Sequence, residues 1–276
     1  MSIFLRRSLS GRTYVPRLIL MTLFALLSLP ISGRAAESEV YVDLTHEYSE
    51  KTIYWPTAKR FHVQKVHEGK NDRGLYYSAN NYSGAEHGGT HFDAPIHFAE
   101  NKQTAEQVPL EKMIGAAVVV DVSAKVKGHR DYQVAVKDLT DWETLHGPIP
   151  PDSIVLLRTG FDAYWDNPKK YLGTAKRGNH AIALLHFPGL SPEAAGWLLD
   201  ERKIKAVGID AASIDYGQAD VFKTHRLLTE HNIPIFENLT NLEKLPPKGA
   251  QLFALPMKIK GGSGAPLRAV AVLPKV

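Results

Sequence analysis

Residues 87–97 read His-Gly-Gly-Thr-His-Phe-Asp-Ala-Pro-Ile-His, and no other stretch restricts the fold of this chain so tightly. Four side chains with ring nitrogens or carboxylate oxygens stand at offsets 0, 4, 6 and 10: His87, His91, Asp93 and His97. A helix would put His87 and His91 on one face. Gly88 and Gly89 oppose a helix, and Pro95 opposes its continuation. A glycine turn entering a short extended stretch fits better. In that stretch His91 and Asp93 share a face by the period of two. Pro95 then bends the chain and returns His97 toward the same point. Imidazole and carboxylate are ligand types that hold zinc or manganese, and glycine lets backbone approach an ion closely.

The 276 residues suffice for one sizeable core and do not require two domains. Arg6, Arg7, Arg12 and Arg17 precede an apolar run from Leu18 to Ile31, and Gly33, Ala35 and Ala36 offer small residues for cleavage. This layout predicts a secretory signal peptide over residues 1–36 and a mature domain over 37–276. The apolar run is shorter than the ~20 residues of a membrane span, so no stable membrane anchor is expected after cleavage. The mature chain is expected to be exported, periplasmic or secreted, and the Arg6-Arg7 pair raises the twin-arginine route. Residues 1–36 hold five arginines and no acid, so the formal +4 becomes about −1 (4 minus 5) in the mature part. The basic balance therefore gives no reason to expect a nucleic-acid partner. With no cysteine, a disulfide, a lipoprotein anchor and a thiolate ligand are excluded; any metal must be held by nitrogen and oxygen.

Along the mature part, strands are predicted over residues 40–44, 61–66, 116–122, 154–158, 205–210, 233–237, 252–257 and 269–273. Residues 75–82 form an aromatic and polar lead into the histidine run. A short helix is predicted near 136–144. Ser191, Pro192 and Glu193 mark a helix start, with a cap, a first-turn proline and an early acid. Residues 225–231 also look helical. The stretch 161–189 is long, irregular and aromatic, which suits a lid or pocket wall. Trp55, Tyr76, Tyr77, Phe161, Tyr164 and Trp165 are candidates for an aromatic pocket. Strands and helices in this mixed order predict one α/β domain with a mixed sheet flanked by helices. Residues 261–264, Gly-Gly-Ser-Gly, lack the Lys-Ser/Thr of a phosphate loop and read as a turn before the last strand. No Gly-x-Ser-x-Gly elbow occurs.

One loop leaves a metal site open on one side, and His225 and Glu237 are candidates to complete it. The run at 87–97 matches the pattern H-x-G-T-H-x-D-x-P-x-H, and the chain resembles the metal-dependent cyclase family, which includes bacterial kynurenine formamidases and isatin hydrolases. Supporting matches are Arg158-Thr-Gly160, residues 188–195, Val207–Asp210 with Ser213 and Asp215, and His225 with Glu237-Asn-Leu239. The resemblance covers roughly residues 40–273 and implies a swivelling β/α-type cyclase fold. It implies that His87, His91 and Asp93 hold a first divalent ion, zinc or manganese. Asp93 and Glu237 would bridge to a second ion that His225 completes, giving one or two ions per subunit. His97 would be the catalytic acid/base and Trp55 would face the substrate, although this chain has Pro56-Thr-Ala where the formamidases have Pro-Gly-Asp. Thr90, Arg158, Ser213 and Asp215 are candidates to orient these groups. A homo-oligomer, a dimer or higher, is also implied.

The chemistry such a site suggests is hydrolysis of a small amide C–N bond, in an aryl formamide such as N-formylkynurenine or a cyclic amide such as isatin. A divalent ion acidifies water and polarises a carbonyl, and a histidine moves protons near neutrality. Two alternatives stand beside it: an exported lactone hydrolase of the same family, and a periplasmic metal- or small-molecule-binding protein without turnover.

Overall fold

In the computed structural model, which describes residues 39–274, the chain forms twelve strands. These are β1 (Tyr41–Asp43), β2 (His62–Lys70), β3 (Tyr76–Ser83), β4 (His91–Asp93), β5 (Ile114–Asp121), β6 (Gln133–Val134), β7 (Ile154–Arg158), β8 (Gly189–Leu190), β9 (Ala206–Ile209), β10 (Ile235–Glu237), β11 (Lys248–Pro256) and β12 (Gly264–Val272). The expected signal peptide at 1–36 lies outside the described residues. Among the described residues no helix is long and apolar enough to cross a membrane.

Seven strands close on themselves in the order β12-β11-β5-β7-β9-β10-β4 and back to β12, a mixed barrel-like sheet. β5, β7, β9 and β10 pair in parallel, and the remaining pairings are antiparallel. One edge of β12 serves two partners: residues 264–266 pair with β4, and residues 270–272 pair with β1.

The parallel strands are Val-, Ile- and Leu-rich because both of their faces are buried. Alternation sends Ala117 and Val119 of β5 inward with Leu156, Phe92, Phe236, Leu252 and Ala269, which fill the barrel. Val118 and Val120 point outward with Val155, Leu157 and Val207. There they pack on Leu139, Trp142, Leu198 and Leu228 of three helices, Val136–His146, Pro192–Arg202 and Lys223–Glu230. The predicted helix start at Ser191 is present: its hydroxyl accepts from the Ala194 amide at 3.1 Å. Asp138 accepts from the Ala135 amide at 2.7 Å at the head of the first of these helices.

The mixed α/β architecture follows the sequence expectation, with three differences. Residues 75–82 contribute β3, which pairs with β2 in a hairpin exposed on both faces. Polar residues on both sides of β2, as in Gln64, Lys65, His67 and Glu68, hide the usual one-sided alternation. The stretch 161–189 holds short helical turns, Phe161–Tyr164, Pro168–Leu172 and Asn179–Leu184, where an irregular segment was expected. Both late strands are longer than predicted, since Gly264 and Pro266 lie within β12.

Candidate metal centre

The local geometry of the histidine run is the one its glycines and proline require. Gly89 has φ +62°, and a β-carbon on Gly88 would lie 2.1 Å from the Tyr54 ring. The extended segment is only the three residues of β4, with Phe92 turned into the barrel and His91 and Asp93 on the other face. Pro95–His97 forms one 3-10 turn, which brings the His97 ring to 3.7 Å from that of His87, nearly parallel.

Strand pairing delivers the second half. β10 runs antiparallel to β4 with Glu237 opposite His91, the closest cross-strand relation a sheet provides. His225 is the third residue of the helix Lys223–Glu230, which starts two residues before the predicted helical stretch 225–231. Asp215 receives the amides of Thr224 and His225, each at 3.0 Å, and faces the His225 Nδ1 at 2.7 Å. One carboxylate thus caps the helix and aims Nε2 of His225 at the cluster.

The donors converge in a buried knot. Asp93 Oδ1 lies 2.7 Å from His87 Nδ1 and 3.2 Å from His91 Nε2, while Asp93 Oδ2 lies 3.2 Å from His225 Nε2. Glu237 Oε2 is 3.5 Å from His91 Nε2, and its Oε1 is 3.2 Å from His225 Nε2 and accepts from the Ile214 amide at 2.7 Å. Each carboxylate turns one oxygen to His91 and the other to His225. His91, Asp93, His225 and Glu237 are all buried.

The electrostatics follow from this packing. Burial opposes a charge on His91, but Asp93, followed by Glu237, overrides it and raises the pKa to about 9. Burial likewise opposes a charged His225, and its hydrogen bonds to Asp215, Asp93 and Glu237 hold its pKa well above the ordinary value. Asp93 is held well below the carboxylate range against the effect of burial, mainly by His91. His97 differs: burial lowers its pKa to about 3, outweighing the pull of Asp93, so its ring is neutral near pH 7.

Two further supports were not legible in the sequence. Nε2 of His87 is 2.9 Å from the Ser263 hydroxyl, which donates to Glu86 at 2.7 Å. The Gly-Gly-Ser-Gly segment is indeed a turn before β12, yet it also braces His87. Asn238 donates to the Gly89 carbonyl at 2.7 Å and accepts from the buried Tyr171 hydroxyl at 2.8 Å. The Gly89 carbonyl in turn accepts from His91 Nδ1 at 3.0 Å, which leaves Nε2 for the cluster. No spacing rule links residues so far apart.

The other expected residues divide. Thr90 donates to the Asn238 carbonyl at 2.6 Å and so ties β4 to the end of β10. Ser213 and Trp55 line a cavity of about 270 Å³ whose floor includes His87, His91, His97, His225 and Glu237. Arg158 is not brought to the cluster; its guanidinium pairs with Asp121 and Ser123. It ends β7 directly beside Asp121 at the end of β5, and this neighbour captures it. Of the six aromatic candidates only Trp55 lines the cavity. Tyr76 and Tyr77 are exposed on the hairpin, Phe161 packs in the core, and Trp165 stacks on His46. Tyr54, Phe98 and Phe222 take their place in the wall.

The family described as Putative cyclase matches residues 42–216, a span that contains the whole histidine run and ends before His225 and Glu237. An isatin hydrolase of Roseibium aggregatum is 33% identical over 221 residues, covering 77% of this chain and 81% of that protein. A kynurenine formamidase of Salinibacter ruber is 28% identical over 232 residues, covering 83% and 95%. Among solved structures, isatin hydrolase A from Ralstonia solanacearum superposes with a TM-score of 0.77 at 32% identity, covering 85% of this chain and 92% of that one.

Proposed function

The chain belongs to the Putative cyclase family, and from that premise we propose that it is a metal-dependent hydrolase of a small, neutral aryl amide, with a cyclic amide such as isatin as the substrate type. The observation that carries this reading is the convergence of His87, His91, His225 and Glu237, all lining a largely apolar cavity, on the buried Asp93 carboxylate behind them. The donor set is nitrogen and oxygen only, and both carboxylates present an oxygen to each of two imidazoles. It suits zinc or manganese. His87, His91 and Asp93 would hold one ion. Asp93, Glu237 and His225 would hold a second.

When bound, a divalent ion supplies Lewis acidity toward a carbonyl and acidifies water. The residues do the rest. His97, which lines the cavity with its ring 3.7 Å from that of His87, accepts the proton of the attacking water and returns it to the leaving nitrogen. The water oxygen bonds to the carbonyl carbon, the C–N bond breaks, and a cyclic amide opens to a carboxylate and an arylamine. Asp215 holds His225 in orientation, and Thr90 holds β4. Trp55, Tyr54, Phe98 and Phe222 give the same cavity an apolar wall.

Two observations favour a cyclic aryl amide over N-formylkynurenine. Among the described residues lining the cavity there is no lysine or arginine, so the amino-acid head of formylkynurenine would bring in an unpaired carboxylate. The isatin hydrolases are also the more similar relatives, at 30–33% identity against 28%. Residues 1–36 direct export in this reading, and the mature chain self-associates; cell fractionation and light scattering check these two points. The decisive experiment is metal content of the purified protein followed by isatin and N-formylkynurenine assays with and without chelator. Isatin turnover lost to chelator and restored by zinc or manganese is expected. Metal-loaded protein inert on both substrates and on lactones would leave a binding protein without turnover.

A further inference from the structure

Phe222 stands in the left-handed backbone region at φ +46° and ψ +49°, immediately before the helix Lys223–Glu230. A bulky aromatic residue there is a conformational outlier, and such outliers persist only where the surroundings hold them. Capping does not account for it. The side chain of Phe222 makes no capping bond, and the amides of Thr224 and His225 go to Asp215 instead. Core packing does not account for it fully either, because the residue is only half-buried while its neighbours Thr224 and His225 are buried.

What the unusual backbone does achieve is the position of the ring. Phe222 lines the cavity with its centroid 6.1 Å from Trp55, 5.2 Å from Phe98 and 6.2 Å from His225. The three aromatic side chains come from three separate segments and bound the space in front of the His225 imidazole. Phe222 is inclined at 60° to Trp55 and 40° to Phe98, so neither pair is stacked face to face. Aromatic rings favour edge and offset contact with a flat π-system at such separations. A saturated ring of equal size gains only the burial.

We propose that Phe222 is a specificity-determining residue, held in a strained backbone position so that its ring selects flat aryl substrates over saturated ones of the same size. The proposal rests on the hydrolase reading for its substrate class, so its test is built on binding as well as turnover. The probes are 1-indanone, a neutral bicyclic aryl ketone with no C–N bond to break, and its saturated hydrindanone counterpart. Their affinities for the metal-loaded protein are measured by calorimetry for wild type, Phe222→Leu and Phe222→Gly.

Wild type is expected to prefer the aryl probe, and Phe222→Leu to lower that preference by roughly 2–10-fold with metal content unchanged. Phe222→Gly should lose the preference equally without a lower melting temperature, because glycine adopts this φ freely. Equal affinity of wild type for the two probes would overturn the proposal. So would a preference that survives both substitutions, or a Phe222→Gly protein that melts lower while keeping the preference, which would make the ring a packing element. A Phe222-dependent preference in a protein that hydrolyses no amide would sink the hydrolase reading and leave the selectivity role standing.

Discussion

Each histidine of the 87–97 run has a different set of neighbours, and substitutions should separate their roles. His91→Ala and Asp93→Ala each remove a group that touches at least two other donors. Both should lose metal and activity together, read by elemental analysis and an isatin assay. His97→Ala should retain most of the metal and lose on the order of 10²–10⁴ in kcat. Equal metal loss in His97→Ala and His91→Ala would make His97 a ligand. Ser263→Ala removes the brace on His87 Nε2; its metal affinity, by chelator competition, should weaken about 10–100-fold. The run itself was legible because bend residues and ligand-type residues alternate within eleven positions. Ser263, Glu86 and Asn238 were not, since their partners are brought to them only by strand pairing. Arg158 is a candidate only through the resemblance at Arg158-Thr-Gly160, and no local signal in the sequence places Asp121 beside it.

β4 has three residues, yet it pairs with β10 on one side and β12 on the other. Its register decides which side chains face the cluster, because a slip of one residue would exchange Phe92 for His91 and Asp93. Gly264 protects that register: a β-carbon there would sit 2.5 Å from the His87 ring and 2.7 Å from the Phe92 carbonyl. Gly264→Ala should therefore weaken metal binding by pushing on the His87 ring and on β4 while every ligand residue is kept, which chelator competition would detect. A second element-level test concerns Asp210, just past the end of β9. Burial, then the nearby Asp162, raises its pKa to about 7 although the Thr159 and Gly160 amides donate to it at 2.7 and 2.8 Å. The folded value exceeds the unfolded one, so this contribution is full below pH ~3.9 and declines as pH rises through about 7. Wild type should lose stability relative to Asp210→Asn between pH 4 and 7, on the order of a few kcal/mol by denaturant titration. A parallel change in both proteins would count against it. The strong helix start at Ser191 and the apolar strands β5 and β7 were visible in the sequence, whereas β3 was not, since neither face of its hairpin is buried.

At the scale of the whole molecule, the sequence announced a mixed α/β domain but not its closure. Nothing in residues 264–272 declares that one strand edge will hold both β4 and β1; that follows from where the preceding seven strand positions leave a gap. The two groups of donors, His87–Asp93 and His225–Glu237, are separated in the chain by 132 residues between Asp93 and His225, yet their atoms lie 3.2 Å apart. Removing the metal should lower the melting temperature by an amount that grows with the logarithm of the free ion concentration used for comparison, as differential scanning calorimetry would show. The seam where β4 meets β12 has a further consequence for biogenesis. Two of the five donors, His91 and Asp93, ride on the strand that shuts the ring, so the donor set is complete only once β4 has paired with both β10 and β12. A chain whose ring is still open should therefore hold a divalent ion more weakly than the closed one.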